Sequence, residues 1–350
     1  MISLSVILRH FAVVLIACFP VAAETPTWGA ELAFARLLGK YDIPGGALAV
    51  ARDGRVLTSR GFGNVKPSSE LAIASCTKAI TRAAVMLLVK EGRLRLDQPA
   101  WGMVAELLPA HRDPRLDRVT IRHLLEHSGG WDRTVAGVDV VAVNLKAEAP
   151  LRNLAGEPLD FDPGTRRRYS NAGALLLGAI VERASGQPFE EFVMARVLDP
   201  LGMKQTRWSQ TPGVREWGAA AGWTATMEDL VRFADGSDKL VGEKRGSWTQ
   251  SGSLHDWGLA WVFRGSDGLS VAWAVNRSPE QGDFSAEAKE AVLAALGTTE
   301  RPEQEEAGKG EGAGARRKMP ASRTKNKVQA PVYNAKKHRA QVYRKPKIRR

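Results

Sequence analysis

From Gly45 to Gly63 the chain reads "GGALAVARDGRVLTSRGFG". Two short apolar and β-branched runs flank Asp53-Gly54, which predicts a β-hairpin. From Ser75 the period changes. Ile80, Ala84, Leu87, Leu88 and Glu91 recur at helical spacing, and Gly92 stands where a helix C-terminus places its glycine. The middle of the chain is mostly helical in pattern: "TIRHLLEH", "NAGALLLGAIVERASG", "FEEFVMARVLDPLG" and "TMEDLVRFA". "GLAWVFRG" and "LSVAWAVN" return to strand character around Ser266-Asp267-Gly268, and "SAEAKEAVLAALG" closes as a helix. Strands, helices, strands and a last helix predict an α+β fold. One antiparallel sheet is built from both chain ends and flanked by helices, and the inserted, mostly helical segment forms a second lobe. A ligand is expected in the cleft between them.

The two ends fall outside this pattern. Arg9 and His10 precede the apolar run "FAVVLIACF", and Val21-Ala22-Ala23 supplies the small residues that precede a cleavage site. Residues 1–23 therefore read as an export signal, too short in its apolar part for a stable membrane span. "LIAC" at Leu15–Cys18 offers an alternative, a lipidated Cys18 at the mature terminus. Cys18 and Cys76 are the only two cysteines, so removing residues 1–23 leaves no intrachain disulfide. Residues 24–297 hold the folded domain. The polar, Gly-rich stretch 298–315 reads as a linker and residues 316–350 as a disordered basic tail.

Charge follows the same division. The net charge is +12, but residues 316–350 carry fourteen of the 50 Lys and Arg and no acid, which leaves 36 basic residues against 38 acidic ones in the rest. Basicity is thus a property of the tail. In an exported protein such a tail suits an anionic envelope polymer or lipid surface better than nucleic acid. No metal or organic cofactor is implied. His123 and His127 stand four apart, but no third ligand follows, and both read as structural.

The chemistry centres on "IASCTKAIT", Ile73 to Thr81. Ser75 precedes Lys78 by three residues, which on a helix puts both on one face. A serine hydroxyl needs a base within hydrogen-bond reach to act as a nucleophile. A lysine serves only when uncharged, and lowering its pKa from ~10.4 to roughly 7–8 takes about 4 kcal/mol of environment. The motif alone decides little. Ser322 and Lys325 repeat it in the tail, and a serine capping a helix explains it equally well.

Longer blocks add specificity. "IASCTKAITRAAVMLLVKEGRLRLDQPA", "VTIRHLLEHSGG", "PGTRRRYSNAGALLLGAIVERASGQPFEEFVMARVLDPLGM", "AAGWTATMEDLVRFA" and "SGSLHDWGLAWVFRGSDGLSVAWAVNRSP" occur in this order. Over residues 43–279 they resemble the serine β-lactamase family in its class C and penicillin-binding branch. The resemblance implies the β-lactamase/transpeptidase-like fold and the activity of an exported serine hydrolase. Its second motif, Tyr-x-Asn, stands here as Tyr169-Ser170-Asn171, which implies a proton partner in Tyr169 and a positioning group in Asn171. Capping of the next helix by Asn171 is the structural alternative.

The family's third motif, Lys-Thr-Gly or His-x-Gly, stands here as Gln250-Ser251-Gly252, followed by Ser253. Gly252 permits close approach of a substrate to the strand. The N–H groups of Ser253 and Ser75 are the expected oxyanion donors, each typically worth about 3–4 kcal/mol. Gln250 lacks the motif's cation, which weakens recognition of a β-lactam or D-alanyl carboxylate and shifts weight toward esters or small amides. His255 is a candidate replacement. Cys76 reads as packing. The expected site is thus Ser75, Lys78, Tyr169 and Asn171 for catalysis, with Gln250, Ser251, Gly252 and Ser253 toward the substrate, a small molecule or a peptide. A protein of another class, keeping the fold without catalysis and docking to the envelope through its tail, is the alternative.

Overall fold

The computed structural model describes residues 27–107, 113–132, 158–212, 214–254 and 257–298. The expected signal, nearly all of the linker, the basic tail and His255 lie outside these residues.

The hairpin at Asp53-Gly54 is present. β1 (Gly45–Arg52) and β2 (Arg55–Gly63) pair antiparallel, and both turn residues have positive φ, 50° and 83°. That geometry matches the twist of the flanking strands and selects the Asp-Gly pair. The short strand β3 (Leu71–Ala72) leads into a 3₁₀ turn at Ala74–Cys76 and then helix α2 (Thr77–Lys90). An earlier helix, α1 (Trp28–Lys40), was not apparent in the sequence pattern. Ala30, Phe34 and Leu38 mark its buried stripe, but Trp28 and Leu32 are exposed apolar residues that blur it.

The middle of the chain contributes α3 (Ile121–Leu125), α4 (Asn171–Ser185) and α5 (Phe189–Val193). The chain after Val193 continues as a wider turn through Met194–Leu198, so the long helix expected here is split. Then follow β4 (Thr206–Trp208), the one-turn α6 (Gly218–Ala221), β5 (Trp223–Ala225) and α7 (Met227–Val241). The C-terminal part supplies β6 (Trp248–Leu254), β7 (Gly258–Arg264), β8 (Leu269–Val275) and α8 (Phe284–Ala295).

The main sheet runs β2-β1-β8-β7-β6, all antiparallel, so both chain ends meet in one sheet as the pattern predicts. A small second sheet, β3-β5-β4, was not anticipated because its strands are only two or three residues long.

Side-chain size, not polarity, alternates along the central strands. Ala47, Ala49 and Ala51 of β1, Ala260 and Val262 of β7, and Ala272 and Ala274 of β8 pack into the core shared with α2 and α7. Leu48, Val50, Trp261, Phe263, Val271 and Trp273 point the other way, under α1 and α8. Successive strand residues face opposite sides, so a sheet covered on both faces reads as a continuous apolar run. The small face lets α7 lie close to the sheet. The large face is filled by rings, with Phe34, Trp273 and Phe284 meeting at centroid distances of 5.5–6.1 Å. β6 is left as the edge strand next to the 3₁₀ turn that carries Ser75.

Candidate active site

Ser75 does not cap a helix. The cap position of α2 is Cys76, with no side-chain capping bond. The Ser75 hydroxyl instead lies 3.0 Å from Lys78 Nζ and accepts from the Tyr169 hydroxyl at 2.7 Å. Two backbone features hold it there. Ile73 N–H donates to Trp223 O (3.1 Å), which ties the approach to the serine to the small sheet. Ala74, just before Ser75, sits at φ 47°, in the left-handed region that costs a non-glycine residue about 1–2 kcal/mol.

Lys78 is buried at 7% exposure. Besides Ser75, its Nζ donates to Asn171 Oδ1 (2.7 Å) and to the main-chain oxygen of Ala220 (2.9 Å). Ser75 Oγ, Asn171 Oδ1 and Ala220 O thus surround the amine, all within 3.0 Å. The Ala220 carbonyl comes from α6, which approaches α2 and α4 closely. A Cβ on Gly178 of α4 would stand 2.6 Å from Ala219 Cβ, and the Ala219 carbonyl accepts from Thr81 Oγ1 (2.7 Å). Nothing in the sequence pattern flags a main-chain acceptor of this kind.

Asn171 is the first residue of α4, and the cap is Ser170, whose hydroxyl accepts from Gly173 N–H at 3.2 Å. The capping duty sits one residue earlier, which leaves the Asn171 side chain for Lys78. Tyr169 is placed by main-chain bonds to the loop after α3: Gly164 N–H to Ser128 O and Arg168 N–H to His127 O, each 2.8 Å.

His127 is more involved than its structural reading suggested. Its ring lies 4.8 Å from the Tyr169 ring, and its Nδ1 accepts from Ser170 N–H (3.3 Å). Burial above all lowers its pKa to about 3, so it is neutral near pH 7. With Nδ1 an acceptor, the neutral ring carries its proton on Nε2. His123, by contrast, closes the capping box at the start of α3 with Thr120 and is structural as expected. The two rings therefore play different parts. No three His, Cys, Asp or Glu side chains are grouped for a metal among the described residues.

The third segment is divided by the alternation of β6. A Cβ on Gly252 would stand 2.5 Å from Ile73 O and 2.8 Å from Ser75 N, so only glycine lets β6 lie against the serine. Cys76 Sγ donates to Gln250 O (3.3 Å), a packing contact that binds the turn to the strand. Gln250 lines a cavity together with Lys78 and Tyr169, and its amide donates to Ser251 O (3.1 Å). Ser253 is exposed. The Ser251 side chain takes the other face of the sheet, where Lys289 of α8 donates to its hydroxyl (2.5 Å). The sequence grouped Ser251 with the substrate-facing residues, and the period-two pleat turns its hydroxyl toward α8 instead.

An antiparallel sheet closed by both chain ends, with a helical lobe presenting serine, lysine, tyrosine and asparagine at its edge, defines a penicillin-binding-protein-like serine hydrolase fold. The Beta-lactamase family profile matches residues 30–312, and the chain belongs to that family. It is 35% identical to the esterase EstB of Burkholderia gladioli over 237 residues, 62% of this chain and 59% of that protein. It is 41% identical to the putative fimbrial assembly protein FimD, serogroup D, of Dichelobacter nodosus over 137 residues, 37% of this chain and 34% of that protein. The chain thus spans between a third and three-fifths of the length of these curated relatives. The octameric penicillin-binding protein homologue from Pyrococcus abyssi superposes with a TM-score of 0.64 at 23% identity, covering 77% of each chain, a likeness of fold.

Proposed function

We propose that this chain is an exported serine hydrolase that works through an acyl-enzyme on Ser75. The observation that carries the reading is the environment of Lys78 Nζ. Asn171 Oδ1 and Ala220 O accept from it, and the serine hydroxyl lies 3.0 Å away. Ser75 gives its proton to Lys78 as it attacks the carbonyl carbon. The oxyanion is held by the main-chain N–H groups of Ser75 and Ser253. Tyr169, 2.7 Å from the serine oxygen, gives its proton to the departing group and regains one from the Lys78 ammonium, which restores the free base. Water then releases the acyl half by the same route in reverse. Asn171 positions the amine.

The substrate class follows from Gln250. A neutral amide in place of the motif's cation favours carboxylic esters or small amides over β-lactams and D-alanyl peptides. Similarity to a protein named as an esterase supports the same choice. The N-terminal residues 1–23, with their basic, apolar and small-residue parts, support export.

The test is a substrate panel: a p-nitrophenyl ester, a chromogenic cephalosporin and a D-alanyl anilide, each with the wild type and Ser75→Ala. Ester turnover that vanishes in Ser75→Ala supports the reading. Turnover of the cephalosporin above the ester would overturn the substrate class. Turnover of none would favour the non-catalytic envelope-binding alternative.

A further inference from the structure

Beside the Lys78–Tyr169 pair lies a cavity of about 210 Å³ between α2, α3, α4 and β6. Ser75 does not line it but hydrogen-bonds two residues that do. Its polar lining is strongly one-sided. Lys78, Arg82, Arg167 and Arg245 contribute, and no Asp or Glu does among the described residues. Two of the three guanidinium charges are already balanced. Arg82 is bonded through both terminal nitrogens to Glu243 (2.6 and 3.0 Å), and Arg245 is paired with Asp238. Lys78 is engaged as described. Arg167 has neither an ion pair nor a side-chain hydrogen bond among the described residues.

The chain direction explains the placement of Arg167. It stands two residues before Tyr169 in non-helical chain, and both residues line the cavity. Its neighbour Arg168 pairs with Asp132 at 3.0 Å, away from the cavity lining. In "RRRYSN" the middle arginine is thus the one that stands with the tyrosine.

The half of a substrate that meets this cavity is set by the chemistry. The departing atom must come within hydrogen-bond reach of the group that protonates it. Tyr169 and Lys78 fill that role, and the cavity opens beside both. We propose that Arg167 recognises an anionic group, such as a carboxylate, on the departing half of the substrate. This cation comes from the segment before α4, not from the β6 position that Gln250 occupies, so it leaves the strand-side contact to a β-lactam or D-alanyl carboxylate missing. A guanidinium can grip a carboxylate with two parallel N–H bonds. The proposal rests on the hydrolase reading above, and among the carboxylic esters favoured there it selects those with an acidic leaving half.

The test uses matched thioesters, with release followed by a chromogenic disulfide reagent. One pair shares a phenylacetyl acyl half and departs as thioglycolate or as its methyl ester. A second pair carries the charge on the acyl half instead, as the succinyl thioester of a neutral thiol and the methyl ester of that succinyl group. Wild type should favour the thioglycolate member of the first pair in kcat/KM. Arg167→Gln should reduce that preference about tenfold, the loss expected for a charged hydrogen bond, while the neutral member is cleaved unchanged. Arg167→Lys should retain part of the preference. An unchanged preference in Arg167→Gln would overturn the proposal and leave the hydrolase reading intact. An effect confined to the second pair would overturn the assignment to the departing half. Cleavage of no thioester, with no adduct at Ser75, would remove the hydrolase reading and this proposal together.

Discussion

Asn171 Oδ1 accepts a hydrogen bond from Lys78 Nζ at 2.7 Å, joining the first residue of α4 to the second residue of α2 across 93 positions of sequence. The contact fixes where the amine points. Asn171→Ala should lower kcat/KM about 10–100-fold and stability by about 1–2 kcal/mol, the cost of an unpaired buried donor. Asn171→Asp puts a negative charge beside the amine and holds its proton. Its activity should be low at neutral pH and rise as pH increases. Full pH profiles of kcat/KM for both variants check this.

Gly252 decides whether the edge strand can reach the serine. In Gly252→Ala the added Cβ would meet Ile73 O and Ser75 N, backbone atoms that cannot swing aside. The strand must move instead, at about 1–3 kcal/mol, and it carries the Ser253 N–H with it. Activity should fall at least a hundredfold, far more than the modest shift in urea midpoint would suggest. Activity within threefold of wild type would show that β6 contributes no oxyanion donor.

His127 gives a pH-dependent stability with a definite sign. Its pKa is about 3 in the fold against 6.5 ordinarily, so the unfolded chain takes up a proton at pH values where the folded one does not. Its contribution is constant above about pH 6.5 and is lost progressively as pH falls toward 3. For a partly exposed ring, screening leaves about 1–2 kcal/mol of that effect. His127→Gln should therefore narrow the gap between the urea midpoints at pH 7 and pH 4.

Asp113 anchors the segment that leads toward Tyr169. Its carboxylate accepts from Leu159 N–H (2.9 Å), Arg115 N–H (2.9 Å) and the Arg115 guanidinium. The guanidinium first, and the two N–H groups after it, hold its pKa well below the usual carboxylate range. The stabilisation is present above the ordinary carboxylate pKa and is lost on acidification. Asp113→Asn should cost about 2–3 kcal/mol at pH 7, read as a lower Tm, with Ser75 reactivity in the cold preserved.

The hairpins, α2 and the main sheet were legible because their apolar periods are regular and their turns carry Asp-Gly or Asp-Gly-like pairs. The grouping of Ser75, Lys78, Tyr169 and Asn171 was legible because each stands in a short motif, and their side chains meet in the fold. The site was not legible where the partner is anonymous main chain, as with Ala220 O, or where the pleat of an edge strand decides direction, as with Ser251. His127 looked structural because its meaning depends on a tyrosine 42 residues away. Helix α1 escaped notice because Trp28 and Leu32 place apolar groups on its wet face.

The central claim is that the residue 75 hydroxyl is activated by the residue 78 amine. Reacting the purified protein with a fluorophosphonate and, separately, with a fluorescent penicillin, then mapping adducts by mass spectrometry, tests it most directly. The predicted result is a phosphonate adduct on the peptide containing Ser75, absent in Ser75→Ala and slowed at least a hundredfold in Lys78→Ala, with little or no penicillin adduct. A phosphonate adduct on another residue, or labelling of Ser75 at full rate in Lys78→Ala, would contradict it.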